Sequence, residues 1–278
     1  MMQLGIMSGR LTKNKEDKAH CFPVDTWKKE FKISSKLGIN AIEWVVDSNS
    51  LDINPIINNK ISEVKRISSS TSINIPVLNA YIFFEKRLYG KKDNKFYENK
   101  YFLHDLITKC AKIKIPIIEI PLLGKNSLKD NDITLDTILS NINEEIKLAS
   151  KLKVKLAFEI DVKHDLVIPY LSDNLPIGIT IDTGNYYSFG YNLFDEIHQL
   201  NKYIINVHIK DHKDGFGNVK LGTGTVDFSR VFKSLKLINY DSNVILEIPN
   251  LAKIFNLDSK IGLSNCREHL RFIKDQLL

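Results

Sequence analysis

Two rhythms of apolar residues alternate along this chain. Short, continuous runs of Val, Ile, Leu and Phe recur at QLGIMS, AIEWVV (ending near Asp47), INIPVLNAYIFF, IPIIEIPLL, KLAFEI, IGITID, INVHIKD and VILEI. Runs that are continuous rather than alternating mark parallel strands buried on both faces. Between them the apolar positions fall at helical spacing. The pattern predicts helices over Asp25–Leu37, with Trp27, Phe31 and Leu37 on one side, and over Asn54–Ile67, Tyr101–Ile113 and Leu135–Leu152. Further helices are predicted over Leu193–Asn201, Asp227–Leu237 and Glu268–Leu277. Asn54-Pro55 and Asp227 read as helix starts. After Glu159 the segment LVIPYLSDNLP holds two prolines and has room for only a short helix.

Eight strands alternating with helices in 278 residues, with no compositional break or Pro/Gly/Ser-rich linker, predict one closed (β/α)₈ TIM barrel over residues 1–278. Such a barrel carries its chemistry at the C-terminal ends of its strands. Four of the apolar runs end there in residues of metal-ligand type: Glu159, Asp182, His208 and Glu247, at successive intervals of 23, 26 and 39 residues. A single carboxylate at a strand end is usually a helix cap or half of a salt bridge. Four such residues at the same end of four consecutive strands form a set. Three carboxylates and one imidazole suit a hard divalent cation, Mn²⁺ or Mg²⁺, ahead of Co²⁺ or of Zn²⁺, which prefers more nitrogen or sulfur.

Composition changes this picture little. With 43% hydrophobic and 26% charged residues the chain is globular, and no apolar stretch is long enough to span a bilayer. The start, MMQLGIMSGR, lacks the features of a signal peptide, so a cytoplasmic location is expected. Cys21, Cys110 and Cys266 are odd in number and far apart, which indicates neither a disulfide framework nor a zinc pair. The net charge of +6 comes from scattered lysines, with arginine only at Arg10, Arg66, Arg87, Arg230, Arg267 and Arg271. That distribution is not a phosphate-tracking stripe, and no nucleic-acid or membrane partner is expected. One cluster stands apart. FFEKRLYGKKDNKFYENKY carries Lys86, Arg87, Lys91, Lys92 and Lys95 with Tyr89 and Tyr97, and reads as a loop from Glu85 to Lys100 that closes as a lid over an anionic substrate.

The segments GIMSGRL, FEID, DTGN, VHIKD, LGTGTVDF and LEIP together resemble the xylose-isomerase-like TIM-barrel superfamily of sugar isomerases and epimerases, over essentially the whole chain. DTGN and HIKD…GTGTVDF are most similar to L-ribulose-5-phosphate (L-xylulose-5-phosphate) 3-epimerases. The resemblance implies that Glu159, Asp182, His208 and Glu247 hold one divalent metal, and that Glu159 and Glu247 lie on opposite faces of a sugar or sugar phosphate as the acid/base pair. A homodimer or homotetramer would be in keeping with it. Ketose 3-epimerases of the D-tagatose type carry a histidine where this chain has Asn185, a departure that matches the sugar-phosphate pattern instead.

Taking a proton from a carbon beside a carbonyl creates an enediolate, whose charge a divalent ion stabilises. One carboxylate removes the proton and another returns it. Return from the opposite face gives epimerisation, and return to the neighbouring carbon gives isomerisation. Lys210 and Asp211, next to His208, are candidates to bond substrate oxygens or to orient the imidazole. Gly222 and Gly224 could bring backbone N–H groups to a phosphate, and Arg10, Asn79, Tyr81 and Asn185 also point to the mouth. Glu43 and Glu119 lie within their strands and stay outside the expected site. Two other enzyme classes share the barrel. An inosose-type dehydratase uses a similar ligand set, whereas an endonuclease IV-like hydrolase needs histidines from strands two and three, where AIEWVVD and LNAYIFF have none.

Overall fold

The computed structural model describes residues 2–12 and 20–277. Eight parallel strands close into a barrel: β1 (Gln3–Met7), β2 (Ala41–Val45), β3 (Val77–Asn79), β4 (Ile117–Leu122), β5 (Lys155–Ile160), β6 (Ile177–Asp182), β7 (Ile204–Ile209) and, after a small hairpin of β8 (Asp211–Lys213) and β9 (Gly217–Val219), β10 (Asn243–Leu246). Around it lie α1 (Trp27–Leu37), α2 (Ile61–Thr71), α3 (Asn94–Ile113), α4 (Leu135–Asn141), α5 (Asn143–Leu152), α6 (Thr183–Ser188), α7 (Leu193–Leu200), α8 (Phe228–Leu237), α9 (Leu251–Phe255) and α10 (Lys260–Leu277). The expected fold and all eight strands are present. Among the described residues no helix is long and apolar enough to cross a membrane.

The local departures from the sequence pattern have physical causes. The third strand is only three residues long, because Ala80 N–H turns to the Glu119 carbonyl and Ile82 N–H to the Val46 carbonyl, drawing Tyr81–Phe84 into a 3₁₀ turn over the mouth. Asn54 does not start a helix. Its side chain accepts from Trp44 Nε1 at 3.0 Å and donates to the Val45 carbonyl at 3.1 Å, so it is spent on the barrel wall and α2 begins at Ile61. Ile142 interrupts the long predicted helix and yields α4 and α5, while α10 begins eight residues before Glu268.

The basic stretch is loop over a shorter span than Glu85 to Lys100. Asp93 caps α3 by accepting from Phe96 N–H at 3.1 Å, so residues 94–100 are helix. The preceding turn is pinned by buried Asn126, whose amide donates to the Phe83 and Lys86 carbonyls and accepts from Leu88 N–H, and by Asn99, which donates to the Arg87 carbonyl. The backbone is thus anchored at Phe83, Lys86, Arg87 and Leu88, ahead of the helix.

Apolar packing is concentrated outside the barrel, between strands and helices, in one large cluster that includes Trp27, Phe31, Trp44, Phe83 and Phe158. Among the described residues two small apolar groups stand apart from it, Met7/Val45/Ile245 and Val77/Ile117/Ala157. Buried polar side chains share the interior. Glu43 on β2 reaches Asn79 on the adjacent β3 and Asn206 and His208 on β7, and since β2 is not a neighbour of β7 the bonds to β7 cross the lumen.

Candidate active site

The strand ends bring Glu159, Asp182 and His208 together, each offering a ligand atom within 4.8 Å of the others. Glu247, immediately after β10, joins them with Oε2 at 2.8 Å from His208 Nδ1. All four residues read from the sequence are buried in one cluster.

Each carboxylate is oriented by a different neighbour. Asp182 caps α6: its Oδ1 accepts from Asn185 N–H at 2.8 Å, which turns Oδ2 toward the cluster. Glu159 Oε1 accepts from Asn185 Nδ2 at 2.6 Å. Glu247 Oε1 receives His20 Nε2 at 2.9 Å and an ion pair from Lys210, whose ammonium also lies 2.7 Å from Asp182 Oδ2. Lys210 therefore stands as the cation between two acidic strand ends, with Asn185 Oδ1 at 3.3 Å as a further acceptor. Its methylene stem passes so close to Gly184 that a Cβ there would sit 2.7 Å from Lys210 Cγ. Glycine in DTGN is thus required by packing.

Electrostatics divide the two glutamates. Burial, then the charges of Asp182 and Glu247, push the Glu159 carboxyl up to about 7. Burial alone would raise Glu247 as well, but Lys210 and His20 outweigh it and hold Glu247 well below the usual carboxylate range. Burial opposes charge on His208, yet Glu43 and Glu247 overcome it and raise the imidazole well above its ordinary value. Desolvation likewise opposes charge on Lys210, which Asp182, Glu247 and Glu159 reverse.

The donor set fits a divalent cation. Asp182 Oδ2 and His208 Nδ1 are buried; the first meets Lys210 Nζ at 2.7 Å and the second Glu247 Oε2 at 2.8 Å, and neither has a further hydrogen-bond partner among the described residues. Two such atoms facing one another at 4.0 Å, with Glu247 beside them, are what an oxygen-rich cation site leaves when protein groups alone are counted.

The remaining expected residues fall in three places. Tyr81 lines the mouth, stacked against His20 with ring centroids 4.4 Å apart and against Phe84 at 5.3 Å. Arg10 is buried nearby, with Nη2 at 3.4 Å from Met7 Sδ. Asn79 points down the lumen to Glu43, away from the mouth. Asp211, Gly222 and Gly224 form a unit: the Asp211 carboxylate accepts from the amides of His212, Gly222, Gly224 and Val226, so the glycine amides already hold a protein anion.

Two contributors were not visible in the sequence reading. His20 lies outside any strand or helix, and it joins the site through its stack on Tyr81 and its bond to Glu247. Glu43 lies in mid-strand, where nothing local marks it for the site, yet Nε2 of His208 lies 3.1 Å from both of its oxygens. Glu119 is fully buried and neither oxygen has a partner among the described residues.

The sequence pattern of a family described as xylose isomerase-like TIM barrel matches residues 31–276. Curated relatives include the L-ribulose-5-phosphate 3-epimerase UlaE of Shigella flexneri serotype 5b, 21% identical over 234 residues that cover 81% of this chain and 82% of the relative. UlaE of Salmonella heidelberg is 23% identical over the same shares. Among solved structures, an L-ribulose 3-epimerase is similar with a TM-score of 0.71 at 17% identity, covering 100% of this chain and 95% of its own. D-psicose 3-epimerase from Clostridium cellulolyticum H10 gives 0.69 at 17%, covering 99% of each chain, and the zinc-bound IOLI protein gives 0.70 at 18%, covering 96% of each.

Proposed function

Since the chain belongs to the xylose isomerase-like TIM barrel family, we propose that it is a divalent-metal-dependent sugar epimerase that moves the proton on the carbon next to a ketose carbonyl. The observation that carries this reading is the buried cluster of Glu159, Asp182 and His208, whose ligand atoms lie within 4.8 Å of one another, with Glu247 Oε2 2.8 Å from His208 Nδ1. Charge arithmetic supports it. Three carboxylates in the cluster would be balanced by one divalent ion together with the Lys210 ammonium, with His208 neutral as a ligand.

When bound, a divalent ion supplies Lewis-acid stabilisation of the negative charge that develops on the sugar. The rest falls to the chain. Glu159 has one oxygen fixed by Asn185, and the other, Oε2, makes no hydrogen bond or ion pair among the described residues, so it is free to take or give a proton at carbon. Glu247 stays anionic between Lys210 and His20, ready to accept a proton from the other face. Lys210 keeps the two acidic strand ends from repelling each other as the sugar gains charge. Tyr81 and Arg10 wall the mouth and limit water. Three oxygen donors and one nitrogen favour Mn²⁺ or Mg²⁺, while the zinc of the IOLI neighbour keeps Zn²⁺ and Co²⁺ within the same coordination chemistry.

A phosphorylated ketose is the substrate favoured by the curated relatives, which are named for L-ribulose 5-phosphate. Asn185 in place of a histidine and the basic rim of Lys86, Arg87, Lys91 and Lys92 agree with that choice. The test is incubation of Mn²⁺-loaded protein in D₂O with ketoses and ketose 5-phosphates, read by NMR. Deuterium entering at the carbon next to the carbonyl, with the epimer appearing, is the expected result. Product formed without any deuterium, or no turnover of any ketose or ketose phosphate, would refute the reading.

A further inference from the structure

We propose that Glu43 is a positioning residue that decides which ring nitrogen of His208 is open to a metal ion; this rests on the metal-centre reading above. Glu43 and His208 are both fully buried. His208 Nε2 lies 3.1 Å from each Glu43 oxygen, so the ring meets the carboxylate squarely. Without a metal both ring nitrogens face carboxylates, Nε2 that of Glu43 and Nδ1 that of Glu247 at 2.8 Å; once a cation takes Nδ1, Glu43, which can only accept, holds the one remaining ring proton on Nε2 and so leaves the lone pair on Nδ1.

The carboxylate is itself clamped from two sides. Asn79 Nδ2 donates to Oε1 and Asn206 Nδ2 to Oε2, each at 3.1 Å. Asn206 Nδ2 also lies 3.1 Å from His208 Nε2, so an amide proton and the ring proton turn toward the same anion. Both asparagine oxygens are left without a donor among the described residues, so each amide is oriented through its NH₂, by Glu43 for Asn79 and by Glu43 and His208 Nε2 for Asn206. Three strands on two sides of the lumen thereby fix one tautomer and one ring plane. The negative charge behind Nε2 also strengthens Nδ1 as a donor to a cation.

The arrangement predicts what a glutamine does at position 43. Its amide NH₂ must face Asn79, Asn206 or the His208 Nε2 proton, setting donor against donor. The ring relieves the clash by moving its proton to Nδ1, the side a metal needs vacant.

Mn²⁺ affinity, followed by electron paramagnetic resonance, is expected to fall roughly 10- to 100-fold in Glu43→Gln. Asn79→Ala removes one anchor of Glu43 without touching His208, and its expected loss is roughly 2- to 10-fold. Circular dichroism checks the fold of both. In wild-type protein loaded with diamagnetic Mg²⁺, ¹⁵N-histidine NMR is expected to find the His208 proton on Nε2, a readout that stands even where a variant does not fold. Wild-type affinity in both variants, or a wild-type ring protonated on Nδ1, overturns the role of Glu43. Should wild type bind no Mn²⁺, or His208→Ala bind it unchanged, the metal reading fails and the proposal with it.

Discussion

Replacing Glu119 by glutamine should stabilise the protein, and by more as the pH rises. Glu119 has no exposed surface and no partner for either oxygen among the described residues. Burial, then the charge of Glu159, raises its carboxyl well above the ordinary 4.5. In the unfolded chain the group ionises near its ordinary value, while in the folded protein it keeps its proton. Above that value the folded state binds more protons than the unfolded one, so stability falls as pH rises, by about 1.4 kcal/mol per pH unit, until the folded carboxyl itself ionises. Glutamine has the same shape and no such slope. For a chain of this size about 1 kcal/mol moves the melting temperature by roughly 2–4 °C, so the two melting curves should separate by roughly 3–5 °C for each pH unit across that window. Melts of metal-free wild type and Glu119→Gln in matched buffers between about pH 5 and about pH 7 measure it. A separation that does not change with pH, or a glutamine variant less stable throughout, would show that Glu119 is ionised and paired, and the reasoning would be wrong.

Other expectations concern the cluster and its rim. Glu159→Gln and Glu247→Gln should each lower turnover by at least about 10²-fold while Mn²⁺ still binds, since an amide oxygen can coordinate but cannot carry the proton; near-normal turnover in both would rule out a two-glutamate mechanism. Lys210→Met leaves Asp182 and Glu247 without their shared cation and should cost about 3–5 kcal/mol of stability in chemical denaturation, partly restored by Mn²⁺; an unchanged midpoint without metal would show that the ion pairs contribute nothing. Neutralising Lys86, Arg87, Lys91 and Lys92 together should raise KM for a ketose phosphate and flatten its dependence on salt, with a neutral ketose unaffected. Equal efficiency on free and phosphorylated ketoses in the unaltered enzyme would leave those charges without a substrate to recognise.

The barrel was legible because eight continuous apolar runs have few other solutions, and four strand-terminal ligands were legible because chemistry and topology pointed to the same end. Helix boundaries were not. The helices before β2, β3, β4 and β5 each end in a left-handed residue, but only the first, Gly38, is a glycine; Ser72, Lys114 and Lys153 do the same work with side chains that advertise nothing. Asn54 looked like a cap because its type caps helices, yet a tryptophan on the neighbouring strand claimed its oxygen. Asp93, the cap that does start α3, lay inside a basic stretch read as loop. Glu43 and His20 depend on contacts across more than 150 residues of chain, and no local pattern encodes those.

The close approach of Gly184 to the Lys210 stem ties two positions 26 residues apart into one unit of variation. Any side chain at 184 would shoulder the ammonium away from Asp182 and Glu247, so as long as the lysine is kept, the glycine cannot drift. A descendant that exchanged Lys210 for a residue without a long stem would remove the two tightest contacts of a side chain at 184, those with Cγ and Cδ, and leave the one with Cβ at 3.0 Å. It would also expose the two carboxylates to each other. The order of events is therefore constrained: the lysine must go first, and only in a background where another cation already neutralises the strand ends.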